Sequence, residues 1–251
     1  PLAILELSGN LHFEAIVIFF LLKALWWYEK QKHHRSALFF GLAVATKFVP
    51  LIALPLLLRK LGWKKTLIYG LIVALTVIIT FLPLINTDHI WAIGDSMKLY
   101  FQRFEFNGSL YYLARWYGFE TEGHNIIATS GQWMFYLTLG SILLYSFLAK
   151  PKGRWASQMV WVWGLYLLFA TTVHPWYVLP MLALSVFSRY RFVYFWSFMV
   201  FFTYLNYAGN SYTDRIDVVI VEYGLVGLIV VLEVFGLKLQ HLFTRKAELP
   251  F

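Results

Sequence analysis

Two short groups of polar side chains stand out in this sequence because both could take part in chemistry. Residues 8–14 (SGNLHFE) supply an amide, an imidazole and a carboxylate, at Asn10, His12 and Glu14. Residues 174–177 (HPWY) lie between two apolar runs. The imidazole of the second group could act as a cation or as a hydrogen-bond donor toward a phosphate, and its aromatic rings could stack on a sugar or bind a lipid headgroup. The alternative roles are structural: a helix start that favours acidic residues, and an aromatic turn at a membrane surface.

Lys47 is the third residue whose position needs an explanation. It lies in an apolar run at 36–58, which contains two prolines and is basic at both ends. A single span with two basic ends would break the rule that Lys and Arg collect on the cytoplasmic side, and proline interrupts helices. We therefore expect two half-helices, 36–47 and 50–58, that enter and leave on one side. Lys47 would lie at their tip, inside the bundle, where it could neutralise a phosphate or pair with a carboxylate.

The composition predicts an integral membrane protein. Of 251 residues, 60% are hydrophobic and only 14% are charged, and the mean hydropathy is +0.63. A soluble domain usually has about a quarter charged residues. The net charge of +8 does not indicate nucleic-acid binding, because Lys and Arg occupy short loops between apolar runs. The absence of cysteine excludes disulfides, thiolate chemistry and Cys-based metal sites.

Eight apolar runs predict an all-α polytopic membrane protein with a single domain over residues 1–251. The runs lie at about 11–29, 36–58, 66–85, 132–149, 157–173, 177–188, 192–208 and 218–239. Basic loops between them indicate the cytoplasmic side, which places the connection at 86–131 on the outer side. We expect interfacial helices there, an amphipathic one at 90–104 and a second after a turn at 106–109. The protein would be a multi-pass protein of the cell (inner) membrane.

The start of the first helix has a local pattern that predicts side-chain directions. Ser8 or Asn10 could cap the helix that follows, by accepting hydrogen bonds from its first N–H groups. Asn10 and Glu14 are four residues apart, which places them on one face of a helix. His12 would then point away from both.

The last apolar run carries two carboxylates that also need an explanation. Glu222 lies near the outer end of the run, where we expect it at the membrane interface. Glu233 lies deeper, and a carboxylate at that depth needs a partner.

Three motifs together resemble those of the GT-C glycosyltransferases, multi-spanning enzymes that use polyprenyl-phosphate sugars as donors. Residues 8–14 resemble the motif at an outer helix start in these families, and residues 43–51 (AVATKFVPL) resemble a segment of their short-helix pair. Residues 174–177 resemble the HPWY turn of several members. The likeness is strongest to bacterial mannosyltransferase-like members and to the catalytic mannosyltransferase of GPI-anchor assembly. Residues 90–131 and 209–251 contribute little to it.

The resemblance implies a GT-C-like bundle with a broken short-helix pair, and an inverting hexosyltransferase activity. The donor would be a polyprenyl-phosphate hexose, with mannose as the expected sugar, and the acceptor a lipid or glycan on the outer face of the membrane. Glu14 would position the acceptor or act as a base, while His174 and Lys47 would face the donor phosphate. The remaining substrate-binding residues that it implies are Asn10, His12, Trp176 and Tyr177.

One part of the family pattern is missing from this sequence. GT-C enzymes carry an acidic residue in their first outer loop, which is usually assigned as the catalytic base. That loop would precede Pro1, so we expect the sequence to be an N-terminally incomplete piece of a longer protein. No metal-ligand set is evident in the sequence, although the resemblance leaves a divalent cation, Mg²⁺ or Mn²⁺, open as a cofactor.

Three other functions fit some of the same features. A lipid-linked saccharide flippase or another transporter would share broken helices and buried charges, but the sequence has no inverted repeat. An O-antigen ligase or polymerase would share the substrates, but such proteins usually carry more Arg and His in large outer loops. A non-catalytic membrane scaffold subunit would explain the missing acidic residue.

Overall fold

The computed structural model describes residues 1–84, 104–209 and 212–243, and these form an all-helical fold. Its α-helices are α1 (Glu14–Glu29), α2 (His33–Thr46), α3 (Leu56–Leu61), α4 (Trp63–Phe81), α5 (Ser109–Glu122), α6 (Ile127–Leu148), α7 (Trp155–Phe169), α8 (Leu179–Ser185), α9 (Phe192–Met199) and α10 (Ile216–Phe243). A π-helical turn precedes α1 at Ile4–Gly9, and 3₁₀ segments lie at Val49–Ala53, Leu82–Leu84, Pro175–Val178 and Val200–Tyr207. These three ranges contain no β-strand, which confirms the all-helical part of the predicted fold class.

Two helices are long and apolar enough to cross a membrane, α4 and the Ile216–Gly236 part of α10. Only 22% and 17% of their apolar windows, respectively, are buried inside the bundle. Most of their apolar side chains therefore face outward, as lipid-facing side chains do, whereas the core helix of a soluble protein would bury them. The two helices support an association with the membrane.

The apolar run at 36–58 is broken at the predicted place. Helix α2 ends at Thr46, the backbone at Lys47 is extended (φ −156°, ψ 131°), and a 3₁₀ segment with Pro50 near its start follows. The prolines explain the second half, because each removes a backbone donor and shortens the helices on either side. The two halves are longer than predicted, since the first begins at His33 and the second ends with α3.

The second half of the broken run leads the chain back along the first. The Phe48 ring stacks on Phe81 at the end of α4, with ring centroids 6.1 Å apart. Further along, Leu54 lies 4.0 Å from the place of a Cβ on Gly70, and α4 starts right after α3. Near the start of α2, the hydroxyls of Ser36 and Tyr69 are 2.9 Å apart. Helices α2 and α4 thus run parallel, and residues 47–62 form the return path.

The loops divide between two ends of the bundle. At one end, which we call the basic end, Lys60 donates to the backbone carbonyl of Gly153, and the Tyr28 ring packs on Trp155 at 4.6 Å. The basic loops at 30–35, 59–65 and 150–154 therefore lie together. The opposite end, which we call the site end, carries residues 8–14, Lys47 and the HPWY turn.

The connection at 86–131, which we call the outer connection, is described from residue 104 onward. Its start is hydrogen-bonded to residues 171–173, just before the HPWY turn. Phe106 N–H donates to the Thr171 carbonyl (3.1 Å), and Val173 N–H donates to the Phe106 carbonyl (2.7 Å). The predicted turn at 106–109 is present and leads into α5, as expected. The amphipathic helix predicted at 90–104 lies outside the described residues, except for Phe104, which is not helical.

Replacing Gly41 with Ala tests the close approach of α2 and α4. A Cβ on Gly41 would lie 2.7 Å from the Cβ of Thr76, so the helices must separate to accept it. We expect a loss of about 1–3 kcal/mol in the free energy of unfolding, measured as a lower thermal midpoint in detergent. Gly140→Ala is the matched control, because nothing lies within 4 Å of that Cβ and Ala favours helix more than Gly does. Equal midpoints for the two variants would contradict this packing.

Candidate functional site

The predicted helix cap at the start of α1 is wrong. Residues Ile4–Gly9 form a separate π-helical turn, and α1 begins at Glu14 without a side-chain cap. Between them the backbone of Leu11 takes a positive φ of 54°, which interrupts the helical path. Asn10 and Glu14 therefore do not share a helix face, and neither Ser8 nor Asn10 caps α1.

Glu6 organises this segment instead, and sequence reasoning did not single it out as a site residue. Its carboxylate is fully buried and accepts hydrogen bonds from Asn10 Nδ2 (2.9 Å) and from the hydroxyl of Tyr204. The Nε2 atom of His12 lies 3.3 Å from the same carboxylate, so His12 turns toward Asn10 and not away from it. The signal in the sequence was an acidic residue inside a short apolar run, which needs donors when buried.

Glu14 and Lys47 form an ion pair across the start of α1 and the break after α2. The ammonium of Lys47 donates to Glu14 Oε1, and the side chains are 30% and 4% exposed, respectively. The same ammonium lies 4.0 Å from the ring centroid of Tyr177, in cation–π geometry. The pairing of Lys47 with a carboxylate was one of its two predicted roles. The extended backbone at Lys47 makes the contact reachable, because α2 stops there.

The HPWY turn contributes to a column of four stacked rings, Phe106, His174, Trp176 and His12. The successive ring centroids are 4.8, 4.3 and 3.8 Å apart, with interplanar angles of 29°, 10° and 20°. Pro175 starts a 3₁₀ turn at its first position, and the extended backbone of His174 precedes it. The turn therefore presents His174 and Trp176 on one side, where the outer connection and residues 8–14 meet them.

Burial, together with the nearby charges of Lys47 and His12, lowers the pKa of His174 to about 4. The imidazole is therefore neutral at pH 7, with one ring nitrogen as a donor and the other as an acceptor. Of the two roles considered for this residue, hydrogen-bond donor fits this environment and cation does not.

The structure places all seven predicted site residues in one continuous cluster at the site end. Neighbouring members are joined by the Glu14–Lys47 pair, the cation–π contact to Tyr177, the ring column and the bonds to Glu6. The seven are Asn10, His12, Glu14, Lys47, His174, Trp176 and Tyr177. Glu6 and Tyr204 complete the cluster. It brings together two carboxylates, an ammonium, two imidazoles and several aromatic rings.

Glu222, which we expected at the membrane interface, is buried inside the bundle and fixes the turn that carries Phe106. Its carboxylate is fully buried and accepts from Asn107 Nδ2 (3.2 Å) and Trp196 Nε1 (2.9 Å). Tyr223 donates to the carbonyl of Asn107 (2.8 Å), whose backbone has a positive φ of 48°. Helix α10 therefore holds the outer connection against the ring column from behind.

Glu233 has the partner that its depth required. Its two carboxylate oxygens accept from the backbone N–H groups of Arg191 (2.7 Å) and Phe192 (2.9 Å), at the start of α9. A carboxylate at a helix N-terminus is favoured by both the free N–H groups and the helix dipole. Glu233 thus has a structural role, away from the cluster.

Among the described residues, no three His, Asp or Glu side chains are close enough to hold a metal ion. The side chains around Glu6 do not form a set of metal ligands either. The partners of the Glu6 carboxylate are one imidazole, one amide and one phenol. The divalent cation that the resemblance left open does not fit these residues. We derive no chemical step through it.

No protein-family model, curated protein or solved structure matches this chain. The resemblance to the GT-C glycosyltransferases therefore depends on the three sequence motifs. The structure adds the geometry of those residues in space.

Removing the ammonium of Lys47 would leave Glu14 buried without its partner. We expect Lys47→Met to lower the free energy of unfolding by about 2 kcal/mol, below the usual cost for fully buried pairs because Lys47 is partly exposed. The double variant Lys47→Met/Glu14→Gln should recover most of that loss, since no buried charge remains. Thermal unfolding in detergent measures both. A double variant that loses the sum of the two single losses would contradict the pairing.

The pKa of His174 predicts how stability depends on pH. Because the folded-state pKa is about 4 and the ordinary value is 6.5, the unfolded chain binds the proton more readily between these values. Stability should be complete above about pH 6.5 and fall as the pH falls toward 4, by roughly 1–2 kcal/mol at pH 5. Thermal midpoints at pH 7.5 and 5.0 measure the fall.

His174→Gln should show a smaller fall in midpoint between the two pH values than the unmodified protein. His124→Gln is the matched control, because His124 is exposed and its Nδ1 atom lies 2.9 Å from the Glu122 carbonyl, outside the cluster. It should keep the full fall. An equal fall in all three proteins would show that His174 is not the titrating group.

Proposed function

We propose that this chain is a multi-pass membrane glycosyltransferase of the GT-C type. It would transfer a hexose, with mannose as the first candidate, from a polyprenyl-phosphate donor to a lipid-linked or glycan acceptor. The observation that carries the proposal is the meeting of Glu14, Lys47 and His174 beside stacked aromatic rings, at one end of an apolar bundle. These are the groups that attack on a phosphate-activated sugar requires.

In the proposed reaction, the acceptor hydroxyl oxygen attacks the anomeric carbon, and the bond from that carbon to the phosphate oxygen breaks. A carboxylate takes the hydroxyl proton, and the polyprenyl phosphate leaves with the bonding electron pair. Inversion follows, since the acceptor enters on the face opposite to the leaving group. The protein must supply a base on one side and positive or hydrogen-bonding groups on the other.

Lys47 and Glu14 would share the binding of substrate through their ion pair. A donor phosphate that approaches Lys47 competes with Glu14 for its ammonium, which has three hydrogen atoms to donate. Glu14 then becomes able to accept a proton from the acceptor hydroxyl. The neutral imidazole of His174 would donate a further hydrogen bond to the phosphate. Binding of the donor would thus prepare the base.

Glu6 would act as a positioning residue in this reaction. Its contacts with Asn10 and His12 orient both side chains. The hydrogen bond from Tyr204 holds it to a segment that lies far away along the chain. His12 and His174 stack on the two faces of Trp176, so the indole would hold both imidazoles in place and only its edge would reach the sugar. The amide of Asn10 and the imidazole of His12 would bind sugar hydroxyls.

Apolar side chains next to the cluster support a lipid-borne donor. Leu11 is 76% exposed and Phe13 is 69% exposed, although they alternate with His12 and Glu14. Exposed apolar residues at this place suit contact with acyl or prenyl chains. The basic loops lie at the opposite end of the bundle, so the charge rule would put the site end on the outer face of the cell membrane.

The first test is transfer from radiolabelled polyprenyl-phosphate mannose into lipid or glycan, by membranes that contain the protein. We expect Glu14→Gln and His174→Ala each to lower the rate by roughly 10²–10⁴-fold at unchanged protein level, as loss of proton-transfer or phosphate-binding groups does. The matched controls are Glu120→Gln and His124→Ala in and after α5, because both residues are exposed and lie outside the cluster.

Each outcome of this assay has a definite meaning. Transfer that fails only in the two cluster variants supports a glycosyltransferase with this site. No transfer by the unmodified protein from any polyprenyl-phosphate sugar would contradict the proposal, and movement of the intact donor across a vesicle bilayer would assign a transporter instead. Equal rates in all variants would keep the activity but remove Glu14 and His174 from its mechanism.

A further inference from the structure

A polar cavity lies at the basic end, away from the cluster of site residues described above. It has a volume of about 710 Å³ and lies between the loop at 150–154 and the residues at 188–190. Its lining includes the cations Lys150, Lys152, Arg154 and Arg189, and no Asp or Glu is among the described residues that line it. Four cations around one cavity repel each other, so an anion placed between them would be stabilised.

The loop at 150–154 is held in shape before any ligand binds. Lys60 donates to the carbonyls of Gly153 and Pro151, and Gln158 Nε2 donates to the carbonyl of Lys150 (2.7 Å). Gly153 packs so closely on Gln158 that a Cβ there would lie 2.8 Å from the amide nitrogen. A fixed loop loses little conformational entropy on binding, which favours a specific site over a diffuse charged surface.

The carboxylate that lines the neighbouring cavity has another role. Glu233 lines a neighbouring cavity together with Arg189, and its carboxylate oxygens accept from the first N–H groups of α9. Within the described parts of the chain, Lys150, Lys152 and Arg154 have no ion-pair partner among the side chains. Their charges are therefore open to an external anion.

The surroundings of the cavity indicate a lipid as the source of that anion. Tyr145, Trp161 and Tyr190 line it, and tyrosine and tryptophan collect at the level of lipid headgroups. Just below, the exposed apolar side chains of Leu144 and Leu148 at the end of α6 provide a surface for acyl chains. Basic loops mark the cytoplasmic leaflet, which carries anionic lipids, and basic pockets on that side bind their headgroups.

We propose that the cavity formed by Lys150, Lys152, Arg154 and Arg189 binds the phosphate headgroup of an anionic phospholipid. The phosphate would lie among the four cations, with the aromatic rings beside the glycerol and the acyl chains along α6. This site is independent of the proposed glycosyltransferase activity, because it lies at the other end of the bundle and shares no residue with that cluster.

Binding of fluorescent phosphatidylglycerol to the purified full chain in a neutral detergent tests the proposal. We expect phosphatidylglycerol to bind at least tenfold more tightly than phosphatidylcholine, and Lys152→Gln/Arg154→Gln to remove that preference. Lys64→Gln/Lys65→Gln is the matched control: it removes the same charge at the same end, from exposed residues outside the cavity, and should keep the preference. Unchanged thermal midpoints would show that both variants fold.

Two results would overturn the proposal. The first is equal affinity for the two lipids, or an equal loss in both double variants, because the basic end would then attract anions without a specific site. The second is complete displacement of phosphatidylglycerol by millimolar inorganic phosphate, since the cavity would then hold free phosphate and not a lipid. Retention of the lipid under that competition supports the lipid as the ligand.

Discussion

A carboxylate buried in an apolar bundle must find hydrogen-bond donors or a cation, because leaving it alone costs several kcal/mol. Glu6, Glu14 and Glu222 are all buried, and each meets this constraint with partners far away along the chain. The three carboxylates therefore determine which distant segments meet at the site end. The hydrophobic core packs the helices together, but it does not by itself select these contacts.

The break after α2 allows Glu14 to meet the same constraint, because it brings the ammonium of Lys47 to the buried carboxylate. If α2 continued as a regular helix, Lys47 would be one more residue on its surface, and the chain would leave at the far side of the bundle. The extended residue and the return path keep Lys47 at the site end, next to Glu14 and Tyr177. Charge distribution and proline content, which are local properties of the sequence, are sufficient to predict this break.

Other parts of the cluster could not be predicted from local patterns. The directions of Asn10 and His12 depend on the positive φ at Leu11 and on Glu6, whose hydroxyl partner Tyr204 lies in a different part of the fold. The burial of Glu222 likewise depends on Asn107 and Trp196. Helical periodicity describes only neighbours within a helix, so it assigned Asn10 to the wrong face and gave no sign of the burial of Glu222.

The location of Glu222 in chain order has a consequence for biosynthesis. A ribosome completes residues 104–108 well before α10, so the turn at Asn107 first lacks the carboxylate that holds it. Only when α10 enters the bundle can Asn107, Trp196 and Tyr223 adopt their final contacts. The ring column is therefore completed late in assembly, and a nascent chain without α10 has an open site end.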